Sequence, residues 1–414
     1  MDKEKLIHVI ADQQDLHFKP NDLPRQLGFS ADREIVVISG IRRCGKSTLL
    51  HEIRNKNTEF SYYLNFDDER LLDFKVDDFQ LLYELFIELY GKQSTFYFDE
   101  IQNVIGWERF VRRLYDYGNK VYITGSNASM LSKELGTHLT GRYIPFELFP
   151  FSFEEYLQFK KVNYSQHYCR STEGKSILKA NFNNYFSEGG FPAYLKSNNK
   201  QYLKSLYESI LYRDVMVRNG LNREKELVEL VYFLASNVSK LASYNSLAKI
   251  IGVKNATTVS NYLNYLQNTY LLFLVNKYDS SLKKQIQNPK KIYFIDVGLV
   301  KELGFHHSAD NGRLLENLVF IELKRRRKEV YYHNQNKECD FVIKEKNKIT
   351  EAIQVSWSVY EDITKQREID GLVDAMESYG LSDGLILTNS EEDTFVLNEF
   401  NIRIRPVWKW LLDL

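Results

Sequence analysis

The chain has 414 residues, and its 55 Lys plus Arg balance 55 Asp plus Glu, so a polyanionic partner must be met by a local patch rather than by net charge. At about 150 residues per domain this length predicts several folded units, and a hydrophobic share of 43% with 7 prolines argues against long disordered linkers. Three widely separated cysteines, Cys44, Cys169 and Cys339, argue against a disulfide framework or a zinc cluster and for a reducing, cytoplasmic setting; with no signal-like start and no apolar run near bilayer length, no membrane partner is expected.

Residues 1–30 read as a helical segment. Across 34–146, strand-like runs alternate with helical ones: EIVVIS, a lysine-bearing turn, FSYYLNF, VDDFQLLYELFIELY, STFYFDE, WERFVRRLYDY, KVYITGS and RYIPFEL. This alternation predicts an α/β fold with a parallel sheet and crossover helices, and the unalternating runs VVI, FYF and VYI suit strands buried on both faces. Function is then expected at the carboxyl ends of those strands. Over 152–222 the pattern changes to helices rich in Tyr, Leu and Lys, broken by EGGFP at 188–192. Two helical patterns joined by Gly252 and Val253, then an apolar strand-like segment, predict a helix-turn-helix with a wing over 226–285. A mixed α/β pattern over 286–414 leaves room for one small closing domain.

The stretch SGIRRCGKSTLL fits G-x-x-x-x-G-K-[ST] without a mismatch: Gly40, Ile41, Arg42, Arg43, Cys44, Gly45, Lys46 and Ser47, with Thr48 continuing into a helix over 47–54. A strand before and a helix after supply the context this motif requires. The glycines let backbone amides turn inward on a phosphate, the helix N-terminus adds favourable potential, Lys46 reaches the terminal phosphates and Ser47 holds Mg²⁺. The strand FYFDE ends in Asp99, expected to bind Mg²⁺ through water, and Glu100, expected to orient or deprotonate the attacking water. After VYITG, Ser126 or Asn127 either senses the γ-phosphate or caps a helix. Arg142, in LTGR, is expected near the same end of the sheet, where it neutralises transition-state charge in its own or a neighbouring subunit, or forms a surface ion pair.

Together GIRRCGKSTLL, FYFDEIQNV, YITGSNASML and LTGRYIPFELFPFSFEEYL, followed by GGFPAYL, ILYRDV, KKIYFIDVGL, ENLVFIELKRR and CDFVI, resemble the AAA-type P-loop ATPases of prokaryotes whose carboxyl half is the domain of unknown function DUF4143. The resemblance implies an ATPase domain over 31–150, a helical lid over 151–225, a winged helix over 226–285 and, over 286–414, a domain similar to the PD-(D/E)XK nuclease fold. It also implies ATP binding and hydrolysis, with Mg²⁺ expected from Ser47 and Asp99; DNA, through the winged helix or the basic run, and further subunits are the candidate partners. In nucleases of that fold an acidic residue, an aspartate and a Glu-x-Lys triplet hold the metal and the attacking water. Glu316 and Asp340 take the first two places, but the third reads Gln354-Val355-Ser356. An amide and a hydroxyl cannot replace a carboxylate and an ammonium, so a degenerate domain without cleavage activity is expected, unless Glu351 or Glu338 supplies the missing charge.

Within the helix-turn-helix, TTVSNYL at 257–263 would begin a recognition helix whose short polar side chains face bases or phosphates, with Lys249 and Lys254 adding charge; protein contacts alone are the alternative. The run KRRRK at 324–328 either grips a phosphate backbone or is a solvated helix end. Cys44 reads as a small residue tolerated by a tight loop rather than a redox switch, and His306 and His307 lack a third ligand at metal spacing. These expectations add up to a Mg²⁺-dependent ATPase whose nucleotide state is coupled to its carboxyl half. The competing reading is a non-catalytic, nucleotide-bound module for DNA binding or protein interaction.

Overall fold

The computed structural model describes residues 1–14, 25, 33–57, 60–128, 136, 139–199, 201–305 and 310–414; His306 and His307 lie outside these. The chain divides into two compact units, Met1–Phe149 with Asn268–Tyr270, and Pro150–Gln267 with Leu271–Leu414.

In the first unit, the strands without polar alternation form one parallel sheet. Its members are β1 (Ile35–Ser39), β2 (Tyr62–Asn65), β3 (Thr95–Asp99), β4 (Lys120–Gly125) and β5 (Tyr143–Glu147), in the order β2-β3-β4-β1-β5. Every residue of β1 and β3 is buried, as two-sided cover requires. Cover comes from helices α1 (Lys3–Gln14), α2 (Lys46–Lys56), α3 (Asp78–Tyr90) and α4 (Trp107–Asp116), and Phe66, Phe74, Phe79, Phe98, Trp107 and Phe110 fill one core with them.

Helix α1 also closes an edge. Strand β2 has one ladder partner, and its other side is met by two glutamine side chains. Gln13 donates to the Asn65 carbonyl at 3.2 Å and accepts from the Asn65 amide at 2.6 Å, while Gln14 pairs with the Ser61 carbonyl at 2.6 Å and the Tyr63 amide at 3.2 Å. Each carboxamide thus offers one donor and one acceptor, as a neighbouring strand's peptide group would.

The second unit begins with helices α5 (Phe153–Phe159), α6 (Thr172–Glu188), α7 (Pro192–Ser197) and α8 (Gln201–Ser209) and the π-helical turn Ile210–Val217. Then follow α9 (Glu224–Ser236), β6 (Leu241–Ala242), α10 (Tyr244–Ile250), α11 (Ala256–Asn268), β7 (Leu272–Val275), α12 (Leu282–Gln287) and β8 (Lys290–Phe294). Strand β8 lies between β6 and β7, antiparallel to both. A boundary at 285 would therefore cut a paired hairpin, and the strand assigned from sequence to the closing domain pairs instead with β6 and β7, on either side of α10 and α11.

The rest comprises α13 (Val297–Leu303), α14 (Asn311–Arg325), β9 (Glu329–Asn334), β10 (Glu338–Glu345), β11 (Lys348–Val355), α15 (Asp362–Tyr379), β12 (Asp383–Thr388), β13 (Asp393–Leu397), β14 (Phe400–Pro406) and α16 (Val407–Leu411). Its mixed sheet has the order β13-β14-β12-β11-β10-β9, with α15 packed on β10, β11 and β12. The GGFP and FIDVGL motifs meet here: buried Asp296 accepts from the Gly190 amide at 2.7 Å and caps α13 through the Leu299 amide at 3.0 Å. A side chain at Gly189 would collide with that carboxylate, 2.2 Å from an ideal Cβ, so these motifs hold the unit together.

Candidate functional site

The loop 40–45 leaves the carboxyl end of β1 and enters α2. Gly40 has φ 153°, and an added Cβ would lie 2.2 Å from the Leu148 carbonyl oxygen, so only glycine fits. Gly45, at φ 102°, brings no side chain to cap the first turn of α2, whose amides point into the loop. Lys46 is buried and donates to the carbonyls of Gly40 at 3.1 Å and Ile41 at 3.2 Å; its Nζ stands 3.5 Å from Glu100 Oε1. Burial disfavours this ammonium, but the charges of Glu100, Cys44 and Asp99 outweigh it and hold the pKa above its ordinary value. Arg43 is exposed with φ 65°, and Cys44 is fully buried with its thiol pKa raised by burial, which fits a packing role.

Asp99, the last residue of β3, is buried and hydrogen-bonded by the Ser47 hydroxyl. Burial first, then the neighbouring charge of Glu100, pushes its carboxyl up to about 6. Glu100 moves the other way: burial works against its charge, yet Lys46 and a hydrogen bond from Gln102 hold it below the usual carboxylate range. Glu100 also sits in the left-handed region, φ 50° and ψ 41°, a backbone strain of about 1–3 kcal/mol for a residue that is not glycine. Ser126, buried after β4, hydrogen-bonds Glu100 and accepts from Gln102 at 3.4 Å; Asn127 is next in the chain. The structure thus brings together the loop, Lys46, Ser47, Asp99, Glu100 and Ser126.

Arg142 does not join them. It precedes β5, which runs parallel to β1 with Tyr143 opposite Ile35, so it lies at the amino end of the sheet, away from the loop. Its Nε is 3.6 Å from Asp116. Placement at the same end as the loop is corrected: LTGR enters β5 rather than leaving it.

Three groups in the site had no signal in the sequence. Thr124 donates to Asp99 and accepts from the Glu100 amide at 2.9 Å, so one hydroxyl ties both carboxylates. Arg25 donates to the carbonyls of Cys44 at 2.8 Å and Phe149 at 2.7 Å, bracing the back of the loop. Tyr270 donates to Ser39 at 2.8 Å, and the Ala128 amide donates to Asn268 at 2.7 Å, so residues far along the chain pack at the loop's base and beyond β4.

The donors here suit a Mg²⁺ ion: a hydroxyl and a carboxylate, all oxygen, and no group of three or more His, Cys, Asp or Glu among the described residues is placed to hold a metal ion by itself. That is the sparse protein share expected when phosphates and water complete the shell.

In the second unit, Glu316, Asp340 and Gln354 are all buried and close together. Gln354 accepts from the Asp340 amide at 3.1 Å and donates to Glu368 at 2.6 Å. Glu351 is spent elsewhere, on Lys328 at 2.8 Å, whereas Glu338 reaches the Asp340 cluster through Lys291. The run 324–328 is not a free basic patch. Arg325 and Arg326 pair with Glu322, Arg326 also with Asp413 at 2.9 Å, and Lys328 with Glu345 and Glu351. Helix α11, by contrast, has neither acid nor base in its thirteen residues, and it exposes Thr257, Asn261 and Asn264. Beside it an open cleft of about 450 Å³ is lined by Arg223, Lys254, Asn255, Thr258, Asn261 and Tyr265, among others.

A family model described as an AAA domain matches residues 32–157, and one described as a domain of unknown function, DUF8612, matches 179–309. The latter is a different domain from the DUF4143 that the motifs suggested, and it meets residues 286–414 only over 286–309. The uncharacterized protein MJ1544 of Methanocaldococcus jannaschii is 35% identical, over 100% of this chain and 96% of its own length. An uncharacterized Haemophilus influenzae protein is 30% identical over 87% of this chain and 91% of its own. Among solved structures, the Thermotoga maritima RuvB Holliday junction branch migration motor aligns over 66% of this chain and 87% of its own, at 16% identity and a TM-score of 0.29.

Proposed function

Because the chain belongs to the family of MJ1544 and carries an AAA domain, we propose that it is a Mg²⁺-dependent ATPase whose loop 40–45 grips the phosphates of ATP. The observation that carries this reading is the convergence of Lys46 with Glu100 and of Ser47 with Asp99 at the carboxyl ends of β1 and β3.

The loop amides and the α2 terminus would hold the β- and γ-phosphates, with Lys46 exchanging its carbonyl acceptors for phosphate oxygens. Ser47 and Asp99 would hold Mg²⁺, which neutralises charge developing on the phosphates. Glu100, kept ionised beside Lys46, would orient a water and accept its proton; Ser126, hydrogen-bonded to Glu100, or Asn127 would contact the γ-phosphate or that water. For Arg142, the pair with Asp116 at 3.6 Å favours the surface ion pair, and action on a neighbouring subunit is the alternative role.

In the second unit, α10, the Gly252 turn, α11 and the β7–β8 hairpin are proposed to form a winged helix. The uncharged polar face of α11, bordered by Arg223 and Lys254, favours nucleic acid over a solvated face. The helices over 151–225 are proposed as a lid, and the sheet β9–β14 as a nuclease-like domain without cleavage activity.

The test is phosphate release with Mg²⁺ and ATP, with and without duplex DNA. Lys46→Ala should lose ATP binding, whereas Glu100→Gln should keep binding and lose about 10²–10⁴-fold in turnover. Turnover that survives Glu100→Gln refutes its role as base. DNA that neither binds with salt dependence nor alters turnover removes the nucleic-acid arm.

A further inference from the structure

Lys291 is the second residue of β8, with a side chain 2% exposed. Its ammonium lies 3.0 Å from Glu316 Oε1, 2.8 Å from Glu338 Oε1 and 2.8 Å from Asp340 Oδ1. These carboxylates come from α14 and β10, so one ammonium from the hairpin strand is clasped by two elements that follow it in the chain. Two further donors reach these carboxylates: Tyr293 donates to Glu316 Oε1 at 2.6 Å, and the Val355 amide donates to Asp340 Oδ2 at 2.9 Å.

Three carboxylates gathered on one point are costly without a cation, and such a set ordinarily collects a divalent metal. Here a covalently attached cation with three donors meets three acceptors. We infer that Lys291 is a built-in counter-ion occupying the position where Glu316, Glu338 and Asp340 would otherwise bind a divalent cation, so this site works as a metal-free structural clasp. Burial opposes the charge of Lys291, but Asp340 and Glu316 outweigh it and hold its pKa well above the usual lysine value. Glu338, with 40% of its side chain exposed, marks the side from which an ion would enter if the ammonium were removed. The inference rests on the second unit alone and stands apart from the ATPase reading, so either can fail without the other.

The experiment uses the full chain without nucleotide and counts bound Mn²⁺ by the loss of the free-ion electron spin resonance signal. The wild type and its Asp340→Asn variant should bind equal amounts, because no ion depends on Asp340. Lys291→Met should gain one Mn²⁺ per chain and a Mn²⁺-dependent rise in melting temperature, and Lys291→Met/Asp340→Asn should lose both. A wild type that binds one more Mn²⁺ than Asp340→Asn overturns the inference, as does a folded Lys291→Met that gains none. If Lys291→Met is not recovered folded, the wild-type comparison decides alone: equal counts support the clasp and unequal counts reject it.

Discussion

Thr124 illustrates how much of the site rests on one hydroxyl. It donates to Asp99, whose carboxyl is pushed upward, and accepts from the amide of Glu100, whose backbone is strained. Thr124→Val keeps the shape but leaves that amide without an acceptor. The expected cost is about 1–3 kcal/mol of stability, with turnover lowered and ATP affinity retained, since Lys46 and the loop are untouched. Chemical denaturation beside ATP binding checks this, and unchanged stability would show that the hydroxyl is dispensable. Lys46, Ser47, Asp99 and Glu100 were legible in the sequence because their chemistry demands fixed spacing after a buried strand. Thr124 was not, since its partners come from a strand 25 residues earlier. Arg25 and Lys291 were hidden for the same reason: a hydrogen bond or ion pair across the fold imposes no local pattern.

At the level of elements, α15 is pinned by Asp374. This carboxylate accepts from the Lys337 amide at 3.0 Å, Asn336 Nδ2 at 2.9 Å and His333 Nε2 at 2.9 Å. Burial would raise its pKa, but those donors prevail and lower it from 3.8 to about 2. A depressed carboxyl stabilises the fold above its unfolded value, and that contribution disappears as pH falls from about 4 through about 2. Asp374→Asn should therefore be less stable than the wild type at pH 7 and should lose less stability across that acid window. Parallel acid-denaturation curves for the two proteins would dismiss the assignment. The alternation that predicted β1 to β5 is a local signal and matches the sheet. Strand β8 was assigned to the wrong neighbour because its apolar run suits either sheet, and only pairing with β6 and β7 decides.

For the whole molecule, balanced charge conceals an uneven distribution. The densest basic run is consumed by acids of the same chain, while α11 carries no acid of its own. The motif pattern divided the chain more finely than its contacts do, because pairing between distant segments joins the helices, the hairpin and the mixed sheet into one unit. The glutamines of α1 act at this scale too. By imitating a peptide plane twice, Gln13 and Gln14 keep β2 from recruiting a strand of another copy. With both changed to alanine, the sheet would offer an open seam, and light scattering should show mass growing with concentration and time. A double variant that stays the size of the wild type would mean that the seam is sealed by something other than these two amides.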